Sequence, residues 1–347
     1  MARMDDTDRG EIRRRWEYYR PPAQQVDLLE CSSFPIGAWL AGEPVMFSGP
    51  RSRGQRLFMR MLPGVFDVDF RRNPLDGWAW VELLSWLTQY TADVQSARAR
   101  FRKKVKILKK QGKSVAYVFG TGPSLSQAME RDWSDGYRIV CNTIVRDPIL
   151  WHHLNPDFIV AGDAIYHFGF TRFAQSFRRD LHQRLQESDA LFVYPAMFDA
   201  LVQREFSMVA DQLIPVPIGW RRRVDIDLMR VFALPALGNV LGVLLLPLAC
   251  TMTRRIGLWG FDGRRPGTRL FWENSPRHSY PEYIPDLQEA HPAFFAHYVP
   301  SSDPSRYVRK YHGKELDASL RLAEHRGWHF EMLHFSYTPV LQKRFKG

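Results

Sequence analysis

Cysteine is scarce. Cys31, Cys141 and Cys250 lie far apart in a chain of 347 residues. They follow no metal-ligand spacing, so neither a disulfide framework nor a cysteine-based zinc site is expected, and reduced thiols in a cytoplasmic protein are. The opening stretch, MARMDDTDRGEIRRRWEYY, has charges but no apolar run, so no secretory signal is expected. Internal repeats and low-complexity tracts are missing too. Long uncharged runs are missing except one, residues 231–253, VFALPALGNVLGVLLLPLACTMT. Pro235, Gly238 and Asn239 break it. The helical remainder, from about Asn239 to Thr251, would span ~20 Å at 1.5 Å per residue. The hydrocarbon core of a membrane is ~30 Å thick. A buried core helix is expected there, not a membrane span.

Acidic residues are outnumbered. The chain has 48 Lys and Arg against 37 Asp and Glu, a net charge of +11. Such a balance favours anionic partners. The cations fall in separate clusters, at 13–15, 98–110 and 221–223, and no nucleic-acid motif is present, so nucleic acid is not expected as a partner. Residues 77–110 read as one long helix whose apolar stripe gives way to eight Lys or Arg over 98–110. That basic end fits a solvated helix terminus, where cations complement the dipole. It also fits a patch that attracts an anionic membrane surface. Hydrophobic residues make up 45% of the chain, enough for a sizeable core.

After Lys113 short apolar runs alternate with helical stretches. Strands are expected at 115–120, 137–142, 157–163, 190–195, 213–218, 254–262 and 328–333. Helices are expected at 124–133, with Ser124 as N-cap, at about 146–153, 171–187 and 239–251, and at 316–327. This rhythm predicts an α/β fold: a Rossmann-like, mostly parallel sheet with helices on both faces. Residues 1–112 read as a mainly helical N-terminal extension and 113–347 as the catalytic domain. About fifty residues after Asp262 break the rhythm, so a long lid is expected at about 263–311.

In an open α/β sheet, ligands bind outside the carboxyl ends of the strands. Four such ends carry small or polar residues: Gly120-Thr121-Gly122, Cys141-Asn142-Thr143, Gly162-Asp163 and Gly260-Phe261-Asp262. The first precedes a helix N-terminus, where glycines and free N–H groups would suit a phosphate. It is neither G-x-G-x-x-G nor a P-loop, so a plain tight turn also fits. Two Asp-x-Asp triplets, Asp67/Asp69 and Asp225/Asp227, are paired carboxylates of the kind that hold Mg²⁺ or Mn²⁺. Alternation would put Asp67 and Asp69 on one exposed strand face, and no metal is expected. His152-His153 is not at ligand spacing and reads as structural. Tyr280 and Tyr283 read as surface aromatics of the lid.

The series VFGTGPSL, IVCNT, PDFIVAGD and RRIGLWGFDG resembles the bacterial sialyltransferases of glycosyltransferase family forty-two. It is also similar to the MptE-like, motility-associated-factor proteins linked to flagellin glycosylation. The resemblance covers roughly residues 113–335. It implies a glycosyltransferase using a CMP-activated nonulosonic acid as donor, no metal cofactor, and a cell-surface glycan or lipid-linked acceptor. The enzyme would be cytoplasmic, with a peripheral place on the membrane open. Carried over, Gly120, Thr121, Gly122 and Ser124 would surround the donor's phosphate and ribose. Asn142, Asp163 and Asp262 would line the nucleotide site, and Gly238 and Asn239 would hold the donor. His312 would be the general base, with His278 as the competing choice. Thr121 stands where the family has Asn, Asp163 where it has Asn, and Arg264 where it has a Tyr; Arg264 can stabilise phosphate in that tyrosine's place. The MptE-like side of the resemblance leaves pyrophosphate transfer from ATP to a pterin open, as well as nucleotide binding without turnover.

Overall fold

Seven apolar runs pair side by side into one parallel sheet. The computed structural model describes residues 6–21, 29, 31, 33–265, 277–300 and 306–346. The strands are β3 (Val115–Phe119), β4 (Gly136–Cys141), β5 (Phe158–Val160), β6 (Leu191–Pro195), β7 (Leu213–Val216), β8 (Arg255–Trp259) and β9 (His329–Met332), in spatial order β7-β6-β5-β4-β3-β8-β9. A separate parallel pair, β1 (Val45–Phe47) with β2 (Val65–Asp67), lies in the N-terminal part.

Both sheet faces are buried, and the two-residue period sorts side chains between them. Ala116, Val118, Ile139, Cys141 and Val193 share one core with the helices Val94–Lys109, Leu246–Met252 and Lys314–Glu324. Tyr117, Phe119, Val140, Ile159 and Tyr194 share the other with Asp6–Tyr19, Asp76–Leu87 and Arg172–Gln186. The fold is therefore α/β and Rossmann-like, with helices on both faces of a wholly parallel sheet.

The expected core helix is present and buried from Leu241 to Met252, opening with a π-helical turn just before Pro247. Proline lacks the N–H that an α-helical turn would use, which accounts for the wider turn. No helix among the described residues is long and apolar enough to cross a membrane.

Several expectations are corrected. The helix over 77–110 is two, Asp76–Leu87 and Val94–Lys109, with the Asp93 carboxylate capping the second at Ser96 N–H. That second helix packs on the sheet, so the N-terminal part and the sheet share a core and do not separate at 112. Half of its cations are tied down: Arg98, Arg100, Arg102 and Lys104 donate to the carbonyls of Arg230, Leu213, Met229 and Asp189. Lys103, Lys106, Lys109 and Lys110 stay exposed. Asp67 and Asp69 are buried, not on an exposed face. Arg56 bridges them, Arg60 adds to Asp67 and Arg72 to Asp69, so their charges are spent on arginine.

The lid expectation also changes. Residues 266–276 and 301–305 lie outside the described residues, but 284–290 and 292–298 are short helices. Their Ile284, Leu287, Phe294 and Phe295 are part of the core. Tyr280 is buried, its hydroxyl donating to Asp180 at 2.7 Å. A buried ionic joint locks this segment to the N-terminal part. The Asp76 carboxylate accepts from Arg15 at 2.6 Å and lies 2.9 Å from His291 Nδ1, with all three side chains essentially inaccessible. Arg15 also donates to the carbonyl of Ala290.

Burial alone would raise the Asp76 pKa, but His291 and Arg15 outweigh it and hold the carboxyl below its usual range. A depressed folded-state pKa stabilises above the unfolded value, near pH 4, and that contribution fades as pH falls through the folded value. Asp76→Asn should therefore cost about 3–5 kcal/mol at pH 7, as expected when one partner of a buried pair is removed. Urea unfolding at pH 7 and pH 3 should show the gap narrowing at the lower pH.

Candidate site at the topological switch point

The chain runs outward from β3 to β7, then returns to place β8 on the other side of β3. The crevice between the carboxyl ends of β3 and β8 is thus the switch point, where such sheets bind ligands. Both ends are glycine turns, and they touch. Gly120 N–H donates to the Trp259 carbonyl and Gly122 N–H to that of Gly260, each at 2.8 Å. A Cβ on Gly120 would sit 2.5 Å from Gly260 O, and one on Gly122 would sit 2.1 Å from Asp262 Oδ2. These glycines are needed for two backbones to pass in contact.

The Asp262 carboxylate crosses the crevice. It accepts from Ser124 N–H at 3.1 Å and from Ser124 Oγ at 2.9 Å. The 3-10 helix Pro123–Glu130 follows, and its N-cap residue is Gly122. Ser124 is therefore not the cap; the Asp262 side chain supplies the anion that the helix start attracts. The N–H groups of Gly120, Gly122 and Ser124, expected to surround a phosphate, are all engaged within the protein. Thr121 stays half-buried at the rim.

A residue not singled out from the sequence completes the cluster. His334 Nε2 accepts from Gly260 N–H at 2.9 Å and lies 3.0 Å from Ser124 Oγ, while Nδ1 lies 2.7 Å from the Phe335 carbonyl. This requires a neutral ring with its proton on Nδ1. The trio is not a nucleophilic triad, because Asp262 binds the serine and not the imidazole. His334 lies two residues past the end of β9, so a fifth polar strand end was the signal that would have found it.

Asn142 follows β4 with a left-handed φ of +51°, and its Oδ1 is buried without a hydrogen-bond partner among the described residues. Asp163 lies past the end of β5. Its Oδ1 accepts from the N–H groups of Ile165 and Tyr166, yet burial dominates and pushes the carboxyl up to about 6. Tyr298 is near enough to feel its charge and is hydrogen-bonded to Tyr311. Tyr311 in turn lies on Gly238, where a Cβ would meet the ring at 1.9 Å. Asn239 caps the core helix, accepting from Gly242 N–H at 2.8 Å, and donates to the Tyr311 carbonyl. Gly238 and Asn239 thus hold the helix Arg306–Tyr311 against the sheet edge.

His312 follows that helix, half-buried, and burial with the nearby Arg264 guanidinium pushes its pKa down to about 4. Arg264 and His312 are therefore brought together. His278 is buried past the end of β4, 3.7 Å from Asp147, and burial pushes its pKa to about 4 as well. Among the described residues no three His, Cys, Asp or Glu side chains converge as metal ligands.

The fold and the switch-point crevice define a Rossmann-like protein with a polar site at the carboxyl edge of its sheet. No family model, curated protein or solved structure matches the chain.

Two outcomes test this geometry. Gly120→Ala should cost about 1–3 kcal/mol, the usual range for overpacking, read as a lower melting temperature. An unchanged melt would mean the two turns do not touch. Asp163 is the opposite of Asp76: a raised folded-state pKa penalises folding increasingly from about pH 4 to 6, and fully above that. Asp163→Asn keeps the acceptor oxygen. It should raise the melting temperature at pH 8 and leave it unchanged below pH 4.

Proposed function

We propose that the chain is a glycosyltransferase that moves a sialic-acid-like nonulosonic acid from a CMP-linked donor to a cell-surface glycan or lipid-linked acceptor. The observation that carries this reading is the convergence of Ser124, Asp262, Asn142, Asp163 and the Arg264–His312 pair on the carboxyl edge of one parallel sheet, around its switch point. The resemblance to the sialyltransferases drawn from the same strand ends supplies the donor class.

In this reading Asp262 and Ser124 exchange their mutual bonds for ribose hydroxyls, as carboxylates at such crevices do. The unpartnered Asn142 Oδ1 accepts from the nucleotide. His312 removes the proton of the acceptor hydroxyl as its oxygen bonds to the anomeric carbon. The bond from that carbon to the phosphate oxygen breaks, and CMP leaves with the electron pair. Arg264 stabilises the charge that develops on the departing phosphate. General-base help of this kind is worth ~10²–10⁴-fold.

The depressed His312 pKa gives the proposal a pH signature. A base must be neutral to act, so the rate rises with pH through its pKa. In the free enzyme that limb should lie near pH 4. A bound donor phosphate favours the protonated ring, so the limb in kcat should lie above that in kcat/KM. His312→Ala should keep nucleotide binding and lose turnover on the order of 10²-fold or more. A nucleotide thermal-shift series checks the donor class first. Stabilisation by CMP supports the reading, and stabilisation by ATP only with Mg²⁺ points to pyrophosphate transfer instead.

A further inference from the structure

A groove of about 890 Å³ opens where the N-terminal part meets the carboxyl end of β6. Arg60, Glu82, Trp86, Gln89, Tyr90 and Met197 are among its lining residues. Met197 follows the end of β6, so the groove lies on the same edge of the sheet as the switch point. β6 stands three strands from β3, about 14 Å away at ~4.8 Å between neighbours.

Three features of the lining point to a ligand. Trp86 is 42% exposed, yet its ring is fixed: Phe66 meets it edge-on at 6.2 Å, and a Cβ on Gly64 would lie 2.9 Å from it. An exposed, immobilised indole is a flat apolar platform. Glu82 is exposed and has no hydrogen-bond or ion-pair partner among the described residues, and desolvation by its surroundings raises its carboxyl above the ordinary value. Gln89 closes the helix Asp76–Leu87 in the left-handed conformation, φ +49°, a place glycine fills most easily. Its N–H donates to the Trp86 carbonyl and that of Tyr90 to Ser85, the usual bonds of such a close. The strain is accepted at a position whose side chain faces the groove, which is where strained residues tend to serve binding.

Charge narrows the ligand. Among the lining residues the charges are one cation, Arg60, which shares Asp67 with Arg56, and one acid, Glu82, so the lining carries no net charge; the Tyr90 hydroxyl is committed to Asp199 at 2.7 Å. Beside that cation the lining offers the Glu82 carboxylate, the Gln89 amide, the Thr91 hydroxyl and the Trp86 face. That set suits hydroxyl-rich, uncharged molecules and disfavours phosphates or acidic sugars.

We infer that this groove binds a neutral glycan, stacked on Trp86 and held through its hydroxyls by Glu82 and Gln89. It would be the acceptor site of the reaction proposed above, and as an acceptor site it rests on that reading. A peptide is the competing occupant.

The test is a glycan array probed with the full chain, run beside a CMP thermal shift. Retention of neutral glycans is expected, weakened on the order of tenfold, or ~1.4 kcal/mol, by Trp86→Ala. Glu82→Gln should weaken it as well. Gln89→Gly should raise the melting temperature while weakening retention, a pairing that mere unfolding cannot produce. No glycan retained by the folded protein, retention of acidic glycans only, or retention unchanged in Trp86→Ala and Gln89→Gly would overturn the assignment. Those results beside an intact CMP shift count against the groove alone. Glycan retention without a CMP shift counts against the donor reading alone.

Discussion

The passage of Gly120 against Gly260 governs the rest of the site. Two strand ends from distant parts of the chain meet there with no side chain between them, and Gly260 reaches the contact only with a φ of +77°. Their closeness lets the Asp262 carboxylate reach Ser124 and lets His334 Nε2 accept from Gly260 N–H. It thereby ties together the ends of β3, β8 and β9, which no single hydrogen-bond ladder joins past the strands themselves. A methyl group in that contact would open all three. The same closeness makes the crevice narrow and its polar groups mutually satisfied, so the rule that buried polar atoms find partners is met within the protein.

The second constraint is the buried Asp76 joint. A fully desolvated carboxylate survives only with ionic or hydrogen-bonding partners beside it, and here the partners come from residues 15 and 291, far apart in the chain. This explains why the described part of that segment, 277–298, packs as short helices in the core. Pro281, Pro285 and Pro292 each fall in the first turn of a short helix, where a missing N–H costs nothing. Those helices bury aromatic rings against the first core. Among the described residues, the short helix Arg306–Tyr311 is seated on Gly238 through the Tyr311 ring.

All seven strands of the main sheet were legible because both faces are buried, which turns each strand into a short continuous apolar run. The polar strand ends were legible for the same reason: each stands out where such a run stops. Less of the site could be read. Asn239 looked like a ligand contact, but it serves as a helix cap, and the two roles ask for the same residue type. Asp67 and Asp69 alternate as an exposed pair would, and only tertiary structure shows Arg56 lying between them. The β1–β2 pair was missed because three-residue strands leave too little pattern. His334 was missed because the polar end of β9 was not grouped with the other four strand ends, although it lies only two residues past the strand.

The satisfied state of the crevice bears on how it would take a nucleotide. Each bond that ribose makes to Asp262 replaces one to Ser124, and each contact at Gly238 competes with the Tyr311 ring. Exchange of this sort yields little net affinity, since a hydrogen bond is worth only about 1 kcal/mol once its rival is subtracted. It would yield discrimination where a ligand displaces Ser124 from Asp262 without offering a hydroxyl in return, since the half-buried carboxylate is then left unpaired. Asp163 adds to this. Its carboxyl is held above its ordinary value by burial, so at neutral pH the folded chain carries a charge it would be more stable without. A donor group that hydrogen-bonds to that charge would relieve the strain on binding. On the reading proposed, the sheet edge would favour a ligand of the right pattern over a tightly held one.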